Sequence, residues 1–291
     1  MAAENIVVKP NVSRAILERL HSLDDLPHFP NALMKLEQLL ASHTTVHLED
    51  VAHLVAQDPR LAAGLIGVVN SAKYSPGFKV ADLTLAVNRI GTSDVRMMAH
   101  AINYKSAIKT KPPFSEKEFM QHAMLAAFIG QSLAKELHIN PGEGFLCGLM
   151  HDIGIYLLST ENREAYKTVM LQVMGEARNL VAIENTHFQT AHPILGARLL
   201  QQWKFPSEIV MGVAGHHAPE LSDSKYQAYA FLTGLSEFGA YRDGLTNGVV
   251  GADNLLNDQV MQGLDFFGLS ESTYQELIAD AYDNAVNCGL A

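Results

Sequence analysis

The adjacent pair His151-Asp152 sits in the run FLCGLMHDIGIYLL, residues 145–158, whose other side chains are apolar around nearly the whole circumference of a helix. An ionised carboxylate in such surroundings is costly unless it is paired or coordinated to a metal. Asp152 therefore asks for a partner. His151 is a good ligand for zinc, iron, manganese or nickel, and a carboxylate supplies charge neutralisation. Adjacent residues on a helix diverge by about 100°, so both reach one ion only if it lies between their directions. On these two residues alone, a buried hydrogen-bonded His-Asp pair competes with a metal site.

Other polar residues bear on that choice. Glu118 and His122 stand four apart on one helix and share a face, with His122 next to the inward Ala123 and Ala126; a Glu/His pair at this spacing can offer two ligands or be a solvated surface pair. His216-His217 ends a helix whose Val210, Val213 and Ala214 face inward. That places His217 on the buried stripe and His216 beside Ile209, Gly212 and Val213, with simple capping of the helix C-terminus as the alternative. His192, just before Pro193, is expected at the N-cap of its helix. His187 is a spare ligand, while His21, His28, His43, His47, His53, His100 and His138 lie mostly in polar contexts or at helix ends and are read as structural.

These residues must be positioned by helices, because helical punctuation recurs along the chain and strand alternation does not. Asp58-Pro59 is an N-cap acceptor followed by proline at the first helical position, and the helix it starts should stop near Asn70. Upstream, LEDVAHLVAQ puts Val51, Leu54 and Val55 on one face, and NALMKLEQLL, entered past Pro27 and Pro30, does the same with Leu33, Leu36, Leu39 and Leu40. Beyond the turn Ser75-Pro76-Gly77, Gly91-Thr92-Ser93 divides LTLAVNRI from DVRMMAHAINYKSAI. The prolines of TKPPF, residues 110–114, then break the chain, and Ser115 restarts a helix. Its Phe119, Ala123, Ala126, Gly130, Leu133 and Leu137 point inward, and Asn140-Pro141-Gly142 should end it. Residues 145–158 form a central helix. Pro193 and Pro206 open two more, and QAYAFLTGLSEF and TYQELIADAYDNAV close the chain. The expected fold is all-α: an N-terminal helical bundle, residues 1–112, packed on a C-terminal helical domain, residues 113–291.

Composition bounds the function. The chain has 291 residues, 48% hydrophobic and 18% charged, which suits a globular protein with a sizeable core. Thirty-one acidic against 21 basic residues give a net charge of -10, a field that repels a nucleic-acid backbone. The start has no basic-then-apolar leader, and no apolar run is long enough to span a membrane, so a cytoplasmic protein is expected. The two cysteines, Cys147 and Cys288, have neither zinc-ribbon nor redox spacing.

The order His122, then His151-Asp152, then His216-His217 on successive helices resembles the HD superfamily of metal-dependent phosphohydrolases. LPHFP, DPRLAAGLIGVVNSAKY and LAVNRIG, followed by GLMHDIG, HPILGARLLQQWKFP and the histidine pair, resemble the HDOD proteins, bacterial HD-related output domains, over residues 20–240. The resemblance implies an HD-like C-terminal domain and a regulatory module that binds a signalling protein or a small nucleotide-like ligand. Glu118, His122, His151, Asp152, His192, His216 and His217 also resemble the ligand set of the HD-GYP cyclic-dinucleotide phosphodiesterases, which implies one or two divalent transition metals: iron, manganese or zinc. Departures count against catalysis. Ile155 follows HDIG where a phosphate-contacting lysine is expected, APELSDSKY replaces the GYP signature, and the late aspartate ligand is Glu237 or nothing. A metal-dependent phosphohydrolase of a nucleotide or cyclic dinucleotide is the alternative function, and an oxygen-using diiron protein a third. Asn70, Ser71 and Tyr74 resemble the HDOD NSA-Y motif and are read as helix termination and packing.

Overall fold

Asx residues, serines and prolines set the helix boundaries much as the sequence predicts. A computed structural model of the chain describes residues 31–41, 46–74, 77–107, 111–176, 180–242, 244–249 and 257–287. The LPHFP motif with Pro27 and Pro30, the histidines His21, His28 and His43, Ser75-Pro76 and Cys288 lie outside the described residues. Among the described residues the fold is all-α.

The N-terminal bundle comprises α1 (Asn31–Ala41), α2 (Leu48–Ala56), α3 (Pro59–Val69) and α4 (Leu83–Ala107). Asp58 caps α3, its carboxylate accepting from the N–H groups of Arg60 and Leu61 at 2.9 and 3.3 Å. At the other end the Asn70 carboxamide donates to the carbonyls of Ile66 and Val80 at 2.9 and 2.7 Å and accepts from the Val80 N–H at 2.8 Å. It thereby ends the helix and ties down the loop that follows. Tyr74 donates to Asp94 at 2.8 Å, so the NSA-Y residues work in termination and packing as expected. In α4, Gly91 takes φ 79 and ψ 160, a left-handed conformation that suits glycine, and this separates the two anticipated helical stretches.

The C-terminal half follows as α5 (Glu116–Glu136), α6 (Pro141–Met150), α7 (Ile153–Glu161), α8 (Arg163–Glu176), α9 (Leu180–Phe188), α10 (His192–Gln202), α11 (Ser207–Gly215), a short 3-10 turn (Pro219–Leu221), α12 (Gln227–Arg242), α13 (Asn257–Phe267) and α14 (Glu271–Asn287). Three of these, α8, α9 and α13, carry no punctuation that the sequence reading singled out. Ser115 caps α5 by accepting from the Glu118 N–H at 3.2 Å. That helix stops at Glu136, short of Asn140, through a left-handed His138 at φ 55. Asn140 instead caps α6, its Oδ1 accepting from Gly142 and Glu143 at 2.9 and 3.3 Å. Helices α5 and α6 meet backbone to backbone: a Cβ on Gly148 would lie 2.2 Å from the Ala126 carbonyl oxygen. This close approach sets the helix bearing His122 against the one that ends at His151.

One apolar core runs from Leu33, Val51 and Leu65 through Phe119 and Leu146 to Leu235 and Tyr274, crossing the expected boundary at 112/113. At that crossing Tyr104 and Phe114 flank the Phe119 ring at 6.4 and 5.4 Å, and the His100 ring lies 5.1 Å from Phe205. Arg96 holds Glu37 through Nε and Nη2, at 2.8 and 2.7 Å, and His100 Nε2 reaches the same carboxylate at 2.6 Å. No described helix is long and apolar enough to cross a membrane.

Candidate metal centre

The predicted single helix over 145–158 is broken where the chemistry lies. Helix α6 ends at Met150, His151 and Asp152 form the junction, and α7 starts at Ile153. Asp152 holds the N-cap position of α7 at φ -99, ψ 8, yet its side chain makes no capping hydrogen bond. The carboxylate instead faces a buried basin shared with α5, α10, α11 and α12.

Imidazole orientations in that basin follow from their outer nitrogens. The Nδ1 atoms of His122, His151 and His216 lie 2.8, 2.7 and 2.7 Å from the carbonyl oxygens of Leu245, Gly148 and Val213. A carbonyl only accepts, so each Nδ1 carries the proton and each Nε2 turns its lone pair inward. His192 Nδ1 stands 2.7 Å from Glu184 Oε2 with the same result. The inner nitrogens then meet: His122 Nε2 lies 3.2 Å from His151 Nε2, and His192 Nε2 lies 3.0 Å from His217 Nε2. In the His122–His151 pair both Nδ1 atoms face carbonyls, so two lone pairs meet and need a cation between them, either a proton or a metal ion.

The carboxylates complete the set. Asp152 Oδ2 is 3.2 Å from His151 Nε2 and 3.9 Å from His122 Nε2, and it accepts from Asn247 Nδ2 at 2.8 Å. Its Oδ1 is 3.5 Å from His192 Nε2. Glu237 places Oε2 3.8 Å from His216 Nε2 and Oε1 3.8 Å from His217 Nε2. Three donor groups result, each with its atoms within 4.8 Å of one another: His122, His151 and Asp152; Asp152, His216 and Glu237; His192, His216 and His217. Asp152 and His216 each serve two groups. Asp152 Oδ1, His216 Nε2 and Glu237 Oε2, which form the middle group, are buried with no hydrogen-bond partner. Three orphaned donors converging on one point are what a cation would satisfy, so the residues present fit a metal.

Burial and mutual charge tune the groups. Burial lowers His151, but the charge and hydrogen bond of Asp152, with the Glu237 charge and the Gly148 carbonyl, together outweigh it and raise the group to about 9. His122, pushed down by burial and by His151, falls to about 4. The second pair repeats the pattern: burial lowers His192, but the charge and hydrogen bond of Glu184, with the Asp152 and Glu237 charges, together outweigh it and raise the group, while His217 falls to about 3 through burial and the His192 charge. Burial raises Asp152, yet the His151 charge and hydrogen bond hold it well below the carboxylate range; Glu237 is pushed up, by burial first and by Asp152 second.

Six predicted ligands come together here: His122, His151, Asp152, His192, His216 and His217. Glu118 does not. It lies exposed in the first turn of α5 and joins none of the donor groups, because at that end Phe119 takes the core-facing position. The spare ligand His187 bonds Gln172 at 2.9 Å, away from the basin. His192 is the first residue of α10 and Ala191 the N-cap, since the His192 N–H is taken by Glu184 at 2.8 Å. The histidine pair sits the other way round from expectation. His216 is fully buried, the His217 side chain is 19% exposed, and Ile209, Gly212 and Val213 form the inward stripe of α11 where Val210 and Ala214 are half-buried. Glu237 takes the place of the late acidic ligand. Sequence reasoning missed Glu184, which was legible as a carboxylate between Leu180 and Phe188 on the apolar stripe of α9. It also missed Asn247, a loop residue without periodicity.

The HDOD domain family matches residues 26–219. Among curated proteins, an uncharacterised protein of Treponema pallidum is 22% identical over 226 residues, 74% of this chain and 43% of its own length. Ribonuclease Y of Mycoplasmoides gallisepticum is 27% identical over 120 residues, 41% of this chain and 18% of that protein. The chain thus spans less than half the length of these curated relatives. Among solved structures, a Shewanella amazonensis protein provisionally named a phosphohydrolase superposes with TM-score 0.74 at 24% identity, covering 95% of this chain and 98% of that one. An HDOD domain protein of unknown function from Geobacter sulfurreducens gives 0.75 at 20% identity, covering 96% of each. A Marinobacter aquaeolei protein, provisionally named for signal transduction, gives 0.74 at 21%, covering 98% of this chain and 68% of that one. At these identities the likeness is one of fold.

Proposed function

The chain belongs to the HDOD family, and from that premise we propose that it is a regulatory module that holds a divalent transition metal and acts by binding a signalling protein or a small nucleotide-like ligand. The observation that carries this reading is a donor basin that is well stocked and nearly sealed. His122, His151, His192 and His216 are 0% exposed, Asp152 1% and Glu237 3%, so only His217 reaches solvent. Iron, manganese or zinc held there would join α5, the α6–α7 junction, α10, α11 and α12 at one point. A bound ion would supply Lewis acidity and a firm cross-link between these helices. The buried residues leave little room for water, and the outer hydrogen bonds of His122, His151, His192 and His216 turn their inner nitrogens toward the centre. Ile155, where the resemblance to HD-GYP enzymes expects a lysine, belongs to the apolar core, so the chain has no cation there to hold a phosphate. Elemental analysis of protein purified without chelator should find the metal, and titration calorimetry against bacterial nucleotide second messengers, with capture from lysate, should find the ligand or partner. Measured hydrolytic turnover in the absence of any binding partner would overturn the reading.

One observation favours a second function, a metal-dependent phosphohydrolase of a nucleotide or cyclic dinucleotide. Seven donors in three overlapping groups exceed the four that a closed structural zinc site uses, and a catalytic centre keeps positions open for water or substrate. Turnover of a nucleotide panel by metal-loaded protein, abolished by both His151→Ala and Asp152→Ala, would establish it.

A further inference from the structure

The basin's inner donors rest on an outer layer of acceptors, and one position in that layer differs from the others. His122, His151 and His216 lean on main-chain carbonyls, whereas His192 leans on a side-chain carboxylate. Glu184 is fully buried and receives three hydrogen bonds: the Tyr166 hydroxyl donates to Oε1 at 2.8 Å, and the main-chain N–H and Nδ1–H of His192 donate to Oε2 at 2.8 and 2.7 Å. With the Tyr166 hydroxyl and the His192 main-chain N–H both donating, the carboxyl group serves this cluster as an acceptor.

Local structure explains how this pairing arises. Gln189 turns the chain through a left-handed conformation at φ 57, which folds α10 back on α9 and lets a carboxylate eight residues upstream reach the first turn of α10. The His192 carbonyl is pressed against α7, where a Cβ on Gly154 would meet its oxygen at 2.0 Å. Tyr166 is held by stacking on Phe188, with ring centroids 6.1 Å apart and planes 9° from parallel. The backbone of His192 is therefore gripped from two sides, and Glu184 sets its ring.

We propose that Tyr166 and Glu184 are positioning residues for the metal centre, a hydroxyl–carboxylate pair that fixes the His192 ring with Nδ1–H outward and strengthens Nε2 as a metal ligand. This rests on the metal-binding reading above. A carboxylate behind a ligating imidazole sets its tautomer and raises its basicity, and losing such a partner typically lowers metal affinity by 10- to 100-fold. The role is distinct from filling space, because Glu184→Gln preserves shape and can still accept from His192 through its amide oxygen, while it removes the charge and turns the other position into a donor from which the Tyr166 hydroxyl can accept.

The test uses full-length protein and two measurements. Competition with a chromophoric chelator for Co(II) and Zn(II) gives affinity, and the Co(II) absorption spectrum reports the ligand field. Glu184→Gln should lose 10- to 100-fold in affinity and alter the Co(II) spectrum, with Tyr166→Phe in the same direction by a smaller factor. In metal-free protein, nitrogen-15 NMR should show a strongly downfield His192 Nδ1–H resonance that moves upfield in Glu184→Gln. If wild type binds metal and Glu184→Gln keeps its affinity within twofold with an unchanged spectrum, the proposal is wrong. If wild type takes up no metal, the metal-binding reading fails, and the ring-orienting role then stands or falls on whether the His192 resonance moves.

Discussion

Glycine 154 follows the histidine–aspartate junction by two residues, and the structure states what a single methyl group would do there. A Cβ at this position would lie 2.0 Å from the His192 carbonyl oxygen, 2.7 Å from its carbon and 2.8 Å from its Cα. All three are backbone atoms of α10 and no side-chain rotation relieves them, so α7 and α10 must separate by roughly 1 Å to restore van der Waals contact. Overpacking of this kind costs about 3 kcal/mol, which for a chain of this size lowers Tm by roughly 5 °C. Gly67 is the matched control. It lies within α3 with nothing within 4 Å of its would-be Cβ, so Gly67→Ala should stabilise by about 0.5–1 kcal/mol. The same chemical change thus has opposite signs at two helical glycines. Urea denaturation of both variants reads the two free energies, and chelator competition reads the second consequence: displacement of His192 should weaken metal binding in Gly154→Ala and leave it intact in Gly67→Ala. A Gly154→Ala protein within about 0.5 kcal/mol of wild type would refute the close-contact argument.

Other regions give independent tests. Burial raises the Glu37 carboxyl, but the hydrogen bonds and charges of His100 and Arg96 outweigh it and bring the group from 4.5 to about 2. A depressed carboxylate stabilises the fold above its unfolded value and loses that contribution as pH falls through the folded one. Wild type should therefore lose about 3 kcal/mol more than Glu37→Gln between pH 5 and pH 2, read as urea midpoints across that window. Asn70→Ala removes three hydrogen bonds to Ile66 and Val80 and should cost about 2–3 kcal/mol, with faster hydrogen exchange at the Val80 amide as the local sign. Glu118→Ala should leave metal stoichiometry unchanged while Glu237→Ala lowers it; equal effects would contradict the placement of these two carboxylates.

Much of the fold was legible because its boundaries are written in local chemistry. Asp58, Ser115 and Asn140 each cap a helix through their own side chains, and Gly91 breaks one through a backbone conformation that favours glycine. Helices α8, α9 and α13 were not singled out, because their stretches carry no proline of the kind that marks α3, α6 and α10. The inner ligands were visible as polar residues misplaced in apolar runs, and Glu184 carries the same signature. Glu118 misled for a physical reason. A four-residue spacing puts two side chains on roughly one face, but in the first turn of α5 it is Phe119 that turns into the core while its neighbour Glu118 stays exposed. Asn247 lies in a loop brought to Asp152 across 95 residues of sequence, a distance that no local pattern encodes.

The most consequential difference between expectation and structure concerns the helix that was thought to run unbroken from 145 to 158. On a continuous helix, His151 and Asp152 would point about 100° apart, and their convergence would depend on an ion lying between two diverging directions. Ending α6 at Met150 and starting α7 at Ile153 removes that constraint. His151 keeps helical geometry and turns its Nδ1 back to the Gly148 carbonyl, while Asp152 takes a different backbone conformation and brings Oδ2 to 3.2 Å from His151 Nε2 and Oδ1 to 3.5 Å from His192 Nε2. Gly154 then lets α7 lie against α10, and Gly148 lets α6 lie against α5. The small residues around the junction draw the helices close enough for His122, His151 and His192 to meet across one carboxylate. An unbroken helix would have kept the apolar packing and lost the centre.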